Sequence, residues 1–182
     1  ADRSCEEAIR AQLARSRGRD AVLGEEFGSS GNSQRRWIID PIDGTKNFVR
    51  GVPVWATLIG LVDGEDCVVG LVSAPALGRR WWAAKGAGAW TGRSLAQAKQ
   101  IHVSRVSQVA DASLSYSSLD GWRGLGRARN FLNLTSDLWR TRAYGDFWSY
   151  MLVAEGAVDL AAEPELELYD MAALVAIVEE AG

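Results

Sequence analysis

The most informative stretch of the chain is residues 37–48, Trp-Ile-Ile-Asp-Pro-Ile-Asp-Gly-Thr-Lys-Asn-Phe. Its apolar start predicts a short buried strand that stops at the Asp40-Pro dipeptide. Gly44 and Thr45 are then expected to begin a short helix. This order places two carboxylates, Asp40 and Asp43, beside the free backbone N–H groups of a helix start. Because Mg²⁺ prefers carboxylate oxygens and a phosphate prefers such N–H donors, the stretch predicts a site for both.

Asp40 and Asp43 also fit other kinds of structure. A tight turn is the simplest, because Asp-Pro and Asp-Gly are common turn dipeptides. A calcium loop of the EF-hand type, starting at Asp40, is excluded because Ile42, Gly44 and Gly51 occupy its third, fifth and twelfth positions, where oxygen ligands are needed. Phosphatases with an aspartyl nucleophile carry the similar motif Asp-x-Asp-Gly-Thr, although their aspartates are two residues apart rather than three. The turn and the aspartyl nucleophile both stay open as alternatives.

Further acidic residues stand at the ends of other predicted elements. Glu25 and Glu26 follow a short strand, and Asp170 opens an apolar helix predicted over residues 169–181. Adjacent glutamates are usually a solvated corner, and an aspartate at a helix start is usually stabilised by the helix dipole. Three separated acidic groups at element ends nevertheless suit a two-metal phosphoester hydrolase, in which the cations contact the attacking and leaving oxygens.

Helices and strands are mixed along the chain without strict alternation, which predicts a layered α+β fold rather than a doubly wound one. The Gly- and Ser-rich residues 28–35 are predicted to be a loop. Helices are predicted over residues 2–17, 127–134, 146–155 and 169–181. Four segments are predicted to form an antiparallel meander, at 54–62, 68–73, 81–84 and 89–91. Shorter strands are predicted near 22–24, 101–103, 112–116, 138–144 and 157–161.

Composition excludes several classes of protein. The 182 residues suit one domain, and 47% apolar with 24% charged residues is typical of a globular chain rather than a disordered one. The net charge of −3 gives no basic surface for nucleic acid. No apolar run is long enough to span a membrane. Two cysteines fit a reducing cytoplasm, and a single histidine rules out a histidine-rich metal site within the chain.

Three motifs together resemble the inositol monophosphatase superfamily. They are Gly24-Glu-Glu, Asp40-Pro-Ile-Asp-Gly-Thr, and Tyr169-Asp-Met-Ala-Ala followed by Glu-Ala-Gly182. Their order and separation agree with the family over nearly the whole chain, although Tyr169 replaces the usual Trp. A narrower resemblance, to the bacterial histidinol-phosphate phosphatases of this superfamily, is carried by residues 46–55, 73–82 and 142–147.

The resemblance implies a fold and an activity. The fold is a layered αβαβα sandwich, with residues 1–182 as a single domain that lacks N- and C-terminal segments of the family. The implied activity is Mg²⁺-dependent hydrolysis of L-histidinol phosphate in histidine biosynthesis, by a cytoplasmic homodimer with two or three Mg²⁺ ions. An inositol-1-monophosphatase, a broad small-molecule phosphatase and a non-catalytic metal- or ligand-binding domain are the alternatives.

The resemblance also implies the metal ligands and the group that activates water. Glu25 is implied to bind a metal ion and to orient the attacking water. Asp40 is implied to bridge two metal ions, while the carbonyl of Ile42 binds the first and the carboxylates of Asp43 and Asp170 bind the second.

Substrate contacts are implied on the other side of the same site. Gly44 and Thr45 are implied to donate backbone N–H groups to phosphate, and the Thr45 hydroxyl to help activate water. In the family, this threonine pairs with an aspartate that is expected upstream of residue 1. Asp2 is therefore not assigned that role. The full set of substrate-binding residues implied is Asp43, Gly44, Thr45, Arg142, Asp146, Glu163 and Asp170. For Asp146 a role as a simple helix cap is the alternative.

Overall fold

The computed structural model describes residues 1–182 and arranges them as six α-helices and eleven β-strands. The helices are α1 Asp2–Arg17, α2 Thr45–Arg50, α3 Leu119–Gly124, α4 Ala128–Ser136, α5 Asp146–Ala154 and α6 Leu168–Ala181. The strands are β1 Ala21–Gly24, β2 Gly28–Ser30, β3 Arg35–Asp43, β4 Ala56–Asp63, β5 Asp66–Ala74, β6 Arg79–Ala84, β7 Ala89–Thr91, β8 Lys99–Ile101, β9 Ser113–Tyr116, β10 Arg140–Arg142 and β11 Leu160–Ala162.

Eight of the strands form one sheet, in the order β2-β1-β3-β4-β5-β6-β7-β8. Only β1 and β3 pair in parallel, and every other pair is antiparallel, so the predicted meander is confirmed. The predicted end of β3 at Asp40 is wrong, because the strand continues to Asp43. Its pairing with β4 skips a register between Asp40 and Asp43, which is the mark of a bulge, and a bulge tolerates the proline that lies there.

Helices cover both faces of this sheet. Thr57 of β4 lies on the α1 face, where its hydroxyl is 3.9 Å from the sulfur of Cys5. Gly60 lies three residues further along β4, on the opposite face, where it is packed against Ala172 of α6. The buried core lies on the α6 side and includes Trp81 and Phe147.

The second sheet contains three parallel strands, in the order β10-β9-β11. Consecutive residues of β9 point to opposite faces: Ser115 Oγ lies 2.7 Å from Ser149 Oγ of α5, whereas the Tyr116 ring packs on Phe131 of α4. The layers are therefore α1, large sheet, α5 with α6, small sheet, and α3 with α4. This is the predicted αβαβα sandwich.

Several predicted elements differ from those found. Three residues of the predicted loop form the edge strand β2, which pairs with β1 through backbone bonds that its polar side chains do not signal. The helix α3 was not predicted; its N-cap is Ser118, whose hydroxyl accepts from the N–H of Asp120. The strand predicted over 138–144 is shortened to β10, Arg140–Arg142, and the one predicted over 157–161 is found later, as β11, Leu160–Ala162. None of the helices combines the length and the hydropathy needed to cross a membrane.

Candidate active site

Three carboxylates from separate points of the chain meet at one end of the large sheet. Asp40 lies at the bulge of β3, Asp43 ends that strand, and Asp170 lies in the first turn of α6. One oxygen of each carboxylate lies within 4.8 Å of the others. Along a regular strand, residues three apart point to opposite faces, so the bulge is what brings Asp40 and Asp43 together. The predicted juxtaposition of these three residues is confirmed.

Asp40 is the most buried member of this acidic cluster, with 2% of its surface exposed. Its Oδ1 atom is buried and has no hydrogen-bond partner. The pKa of Asp40 is raised to about 9, first by burial and then by the negative charges of Asp43, Glu25 and Asp170. A buried carboxylate with a free oxygen and acidic neighbours is costly to keep ionised unless a cation lies beside it.

Asp43 and Asp170 are each anchored by one oxygen. Asp43 Oδ2 accepts the backbone N–H of Phe147 at 2.8 Å, which fixes it to the start of α5. Burial raises the pKa of Asp43, and this hydrogen bond opposes the increase. Asp170 Oδ2 accepts the N–H of Glu167 at 2.8 Å as part of a capping box. The helix-start explanation for Asp170 is therefore correct, and it is compatible with a place in the cluster.

Glu25 lies near the acidic cluster, in the turn that follows β1. Its N–H donates to the carbonyl of Ile39 at 3.1 Å, next to Asp40 in β3. The pKa of Glu25 is raised, mainly by burial and then by Asp170, with a smaller contribution from Asp2. Asp2 therefore lies within electrostatic reach of the site, although the sequence prediction gave it no part. Glu26, by contrast, turns to Arg3, with 3.4 Å between their charged groups.

A cavity of about 180 Å³ opens beside the acidic cluster. It is lined by residues from β3, α5, α6 and the segment between β11 and α6, namely Asp43, Asp146, Phe147, Tyr150, Glu163, Glu165, Leu166, Asp170 and Leu174. Glu163 Oε1 is buried there without a partner. Burial, followed by the charges of Asp146 and Asp170, raises the pKa of Glu163 to about 7. The cavity is therefore strongly acidic away from the cluster as well.

Asp146 is held across the cavity by a residue that the sequence prediction missed. Its Oδ2 accepts from Asn47 Nδ2 at 2.7 Å, and the same amide donates to the carbonyl of Val54 at 2.9 Å. The backbone φ of Asp146 is +47°, a value that is uncommon for residues other than glycine and that persists only where the surrounding structure imposes it. No side chain caps α5, whose first position outside the helix is Gly145. The alternative that Asp146 simply caps its helix is therefore wrong.

Gly44 connects the acidic cluster to the short helix α2. Its φ is +79°, and a Cβ there would lie 2.9 Å from the carbonyl of Val54 and 3.1 Å from Asp146 Oδ2. Only glycine fits this turn and this approach. The predicted helix start at Thr45 is confirmed, and the Thr45 hydroxyl donates to the carbonyl of Ile42 at 2.9 Å.

Comparison with known proteins identifies the family that carries this arrangement. The model of the inositol monophosphatase family matches residues 1–182. The chain belongs to the inositol monophosphatase family. Its relatives include the histidinol-phosphatases of Streptomyces coelicolor and Mycobacterium tuberculosis, at 65% and 57% identity, each covering 100% of this chain and 70% of the relative. The expected resemblance, including its narrower branch, is confirmed.

Solved structures agree with the family and the fold. An inositol monophosphatase from Zymomonas mobilis matches with a TM-score of 0.88 at 33% identity, covering 99% of this chain and 68% of that one. The enzyme from Anabaena matches with a TM-score of 0.89 at 28% identity, covering 100% and 72%. This inositol monophosphatase-family chain is therefore a phosphomonoesterase, as predicted.

The donor set fits the divalent cation on which the inositol monophosphatase family depends. All the candidate ligand atoms are oxygens, which hard cations prefer. The free Oδ1 of Asp40 and the mutual increase of the carboxylate pKa values both indicate a site that lacks positive charge of its own.

Arg142, a predicted substrate-binding residue, is not among the residues that line the cavity. It lies on β10 with an exposed side chain, and its guanidinium donates to the carbonyl of Thr141 at 2.8 Å. Its role in binding substrate stays a prediction. Asn47, by contrast, contacts the site but was not predicted. It lies within residues 37–48, but it carries no charge and belongs to no metal-ligand pattern that would single it out.

Proposed function

We propose that this chain is a Mg²⁺-dependent phosphomonoesterase whose substrate is L-histidinol phosphate. The observation that carries the proposal is the acidic cavity, in which Glu163 and Asp146 lie beside the acidic cluster of Asp40, Asp43 and Asp170. Carboxylates beyond those needed for cation binding suit a substrate that itself carries positive charge. The names of the relatives from Streptomyces coelicolor and Mycobacterium tuberculosis support the same substrate.

The acidic cluster would hold two or three Mg²⁺ ions. Asp40, as the central carboxylate, would contact more than one ion, with Glu25 and the Ile42 carbonyl on one side and Asp43 with Asp170 on the other. Bound Mg²⁺ would supply Lewis-acid stabilisation of the charge that develops on the phosphate oxygens. Glu25 would orient the water that attacks phosphorus, since it is the least buried carboxylate of the set.

The phosphate would lie against the start of α2. Gly44, with no Cβ, leaves the backbone open to a close approach, and the N–H groups of Gly44 and Thr45 would donate to phosphate oxygens. The Thr45 hydroxyl, which donates to the carbonyl of Ile42, would accept a hydrogen bond from the attacking water through its oxygen and so help to orient that water.

Recognition of the rest of the substrate would depend on Glu163 and Asp146. Histidinol phosphate carries an ammonium group and an imidazole that can be protonated, whereas inositol phosphate offers neutral hydroxyls. A desolvated contact between a carboxylate and a cation is charge-assisted and contributes on the order of 1.5–3 kcal/mol, roughly ten- to a hundredfold in discrimination.

Substrate discrimination is tested by measuring kcat/KM for both phosphoesters with the variants Glu163→Gln and Asp146→Asn. We expect kcat/KM for histidinol phosphate to fall ten- to a hundredfold and kcat/KM for inositol phosphate to change little, because only histidinol phosphate places a cation in the cavity. Glu65→Gln is the matched control, since Glu65 is exposed in the turn between β4 and β5. Equal losses for the two substrates would assign the chain to the inositol-1-monophosphatase or broad-phosphatase alternative.

Dependence on Mg²⁺ separates the enzyme from a non-catalytic binding domain. Release of phosphate with Mg²⁺, abolished by EDTA, is expected of the enzyme, and a chain that binds the substrate without releasing phosphate would be the binding domain.

Three broader expectations complete the proposal. Residues 1–182 would act as one domain, because α5 packs between the two sheets and ties them together. The protein would act in the cytoplasm, in histidine biosynthesis, and the free cysteines Cys5 and Cys67 suit a reducing compartment. It would form a homodimer, as the resemblance implies.

A further inference from the structure

Glu6 in α1 is a charged residue buried in full, with 0% of its surface exposed. It lies outside the acidic cluster, and none of the roles described above uses it. A buried carboxylate is costly unless hydrogen bonds and an opposite charge compensate it. The contacts of Glu6 show which part of the structure its burial holds in place.

Both carboxylate oxygens of Glu6 are bonded. Oε2 accepts the N–H of Glu26 at 2.8 Å, and Oε1 accepts from Arg10 Nε at 2.6 Å. The same guanidinium donates to the carbonyl of Gly28 and to the hydroxyl of Ser30. One buried ion pair on α1 is thus bonded to the turn between β1 and β2 and to the strand that follows it.

Gly24 allows Glu6 to reach this position. A Cβ on Gly24 would overlap both oxygens of the Glu6 carboxylate, and the backbone of Gly24 shows no positive φ that would otherwise require glycine. The close approach to Glu6 is therefore the feature of the structure that excludes a larger residue at position 24.

Glu25 lies between these contacts. Its own N–H is bonded to Ile39 of β3, and the next N–H, that of Glu26, is bonded to Glu6. The peptide planes on both sides of the Glu25 side chain are therefore fixed, one by the large sheet and the other by α1. This fixes the direction in which the carboxylate leaves the backbone.

We propose that Glu6 is a positioning residue, which acts through the backbone of residues 24–26 to hold the Glu25 carboxylate against the acidic cluster. The inference rests on the proposed role of Glu25 in binding the metal ion. A neutral side chain cannot replace Glu6, because Gln offers one acceptor oxygen where Glu26 and Arg10 need two. A shorter acid cannot replace it either, because Asp lacks the length to reach the N–H of Glu26.

The test is direct binding of Mn²⁺, measured in the intact protein without substrate from the electron paramagnetic resonance signal of the free ion. Glu6→Gln and Glu6→Asp are each expected to weaken Mn²⁺ binding by about ten- to a hundredfold, the usual effect of losing a residue that orients a ligand. Glu7→Gln is the matched control, because it removes the same charge from an exposed position on the same helix. It should leave Mn²⁺ affinity and turnover unchanged.

Gly24→Ala provides a second, independent perturbation, because the added methyl group displaces the Glu6 carboxylate while every charge is kept. It should weaken Mn²⁺ binding like the Glu6 variants, and excess Mg²⁺ should restore much of kcat, whereas a loss of folded protein would not recover in this way. All binding is measured well below the melting temperature of each variant.

The result that overturns the proposal is unchanged Mn²⁺ affinity in the folded variants, or failure of all three variants to fold, which would make Glu6 a residue of stability alone. Failure of the proposed function is distinguishable, since the unaltered protein would then bind no Mn²⁺ at the site.

Discussion

At the scale of single residues, Asp40 combines opposite demands of stability and activity. Its carboxylate has one unpartnered oxygen, and burial, followed by the charges of Asp43, Glu25 and Asp170, raises its pKa to about 9. The features that make it a strong ligand for a cation therefore destabilise the metal-free protein. This is the pattern expected where charge is kept for function rather than for folding.

Asp40→Asn is expected to abolish turnover and yet to leave the metal-free protein at least as stable as the original at pH 8. The amide has nearly the same shape, but it cannot supply the negative charge that bound Mg²⁺ needs. It also spares the folded protein the cost of desolvating or protonating a buried carboxylate. Phosphate release and thermal unfolding in EDTA measure the two effects. Asp111→Asn, at an exposed position, serves as the control. Mg²⁺-dependent activity that survives in Asp40→Asn would contradict the central role of this residue.

At the scale of elements, the place of Asp170 is set by how closely α6 approaches the large sheet. Gly60 of β4 and Gly70 of β5 face this helix, and a Cβ on Gly60 would lie 2.8 Å from the Cβ of Ala172. A Cβ on Gly70 would overlap the carbonyl of Ala173. Small residues on β4, β5 and α6 thus let the helix lie close to the sheet, which brings Asp170 at its start near β3.

Gly70→Ala is expected to destabilise the protein by about 1–3 kcal/mol, the usual cost of overpacking a well-packed contact, because α6 has to move outward. The displacement also carries Asp170 away from Asp40, so metal affinity should fall along with stability. Urea unfolding measures the change in stability, and Mn²⁺ binding measures the change in metal affinity. Gly124→Ala is the control, since no atom lies within 4 Å of the added group. A Gly70→Ala protein of unchanged stability would show that the helix contact is looser than described.

Sequence predicted the elements that carry strong local patterns and missed those fixed by distant contacts. The helix predicted over residues 2–17 is found as α1, and Gly44 with Thr45 starts α2 as expected. The bulge in β3 was not predicted, because it is visible only as a skip in the pairing with β4. Asn47 was missed for the same reason: its partners Val54 and Asp146 are set by the tertiary fold.

At the scale of the whole molecule, the site exists only because distant segments are folded together. The carboxylates of Glu25, Asp40, Asp43, Glu163 and Asp170 are contributed by segments that span most of the chain. In the unfolded chain these groups are separate and hydrated, whereas in the native state they share one partly buried region. Their titration is therefore coupled to folding.

This coupling predicts that the metal-free protein becomes less stable as the pH rises. Burial and mutual repulsion raise the pKa of Asp40 from 3.8 to about 9 and that of Glu163 from 4.5 to about 7, so the native state holds protons that the unfolded state has released. Stability from these protons is fully present below the unfolded pKa values and is lost as the pH rises through the folded ones. The free energy of unfolding should fall by about 1.4 kcal/mol per pH unit for each extra proton held.

The measurement is thermal and urea unfolding in EDTA between pH 5 and pH 9, repeated with excess Mg²⁺. We expect the melting temperature to fall over this range in EDTA, and Mg²⁺ to raise it more at pH 9 than at pH 5, because cations then replace the lost protons. Asp40→Asn should flatten the profile in EDTA, since the carboxyl group whose pKa is raised to about 9 is gone. A metal-free protein that gains stability between pH 6 and pH 9 would mean that these carboxylates are ionised and compensated within the chain itself.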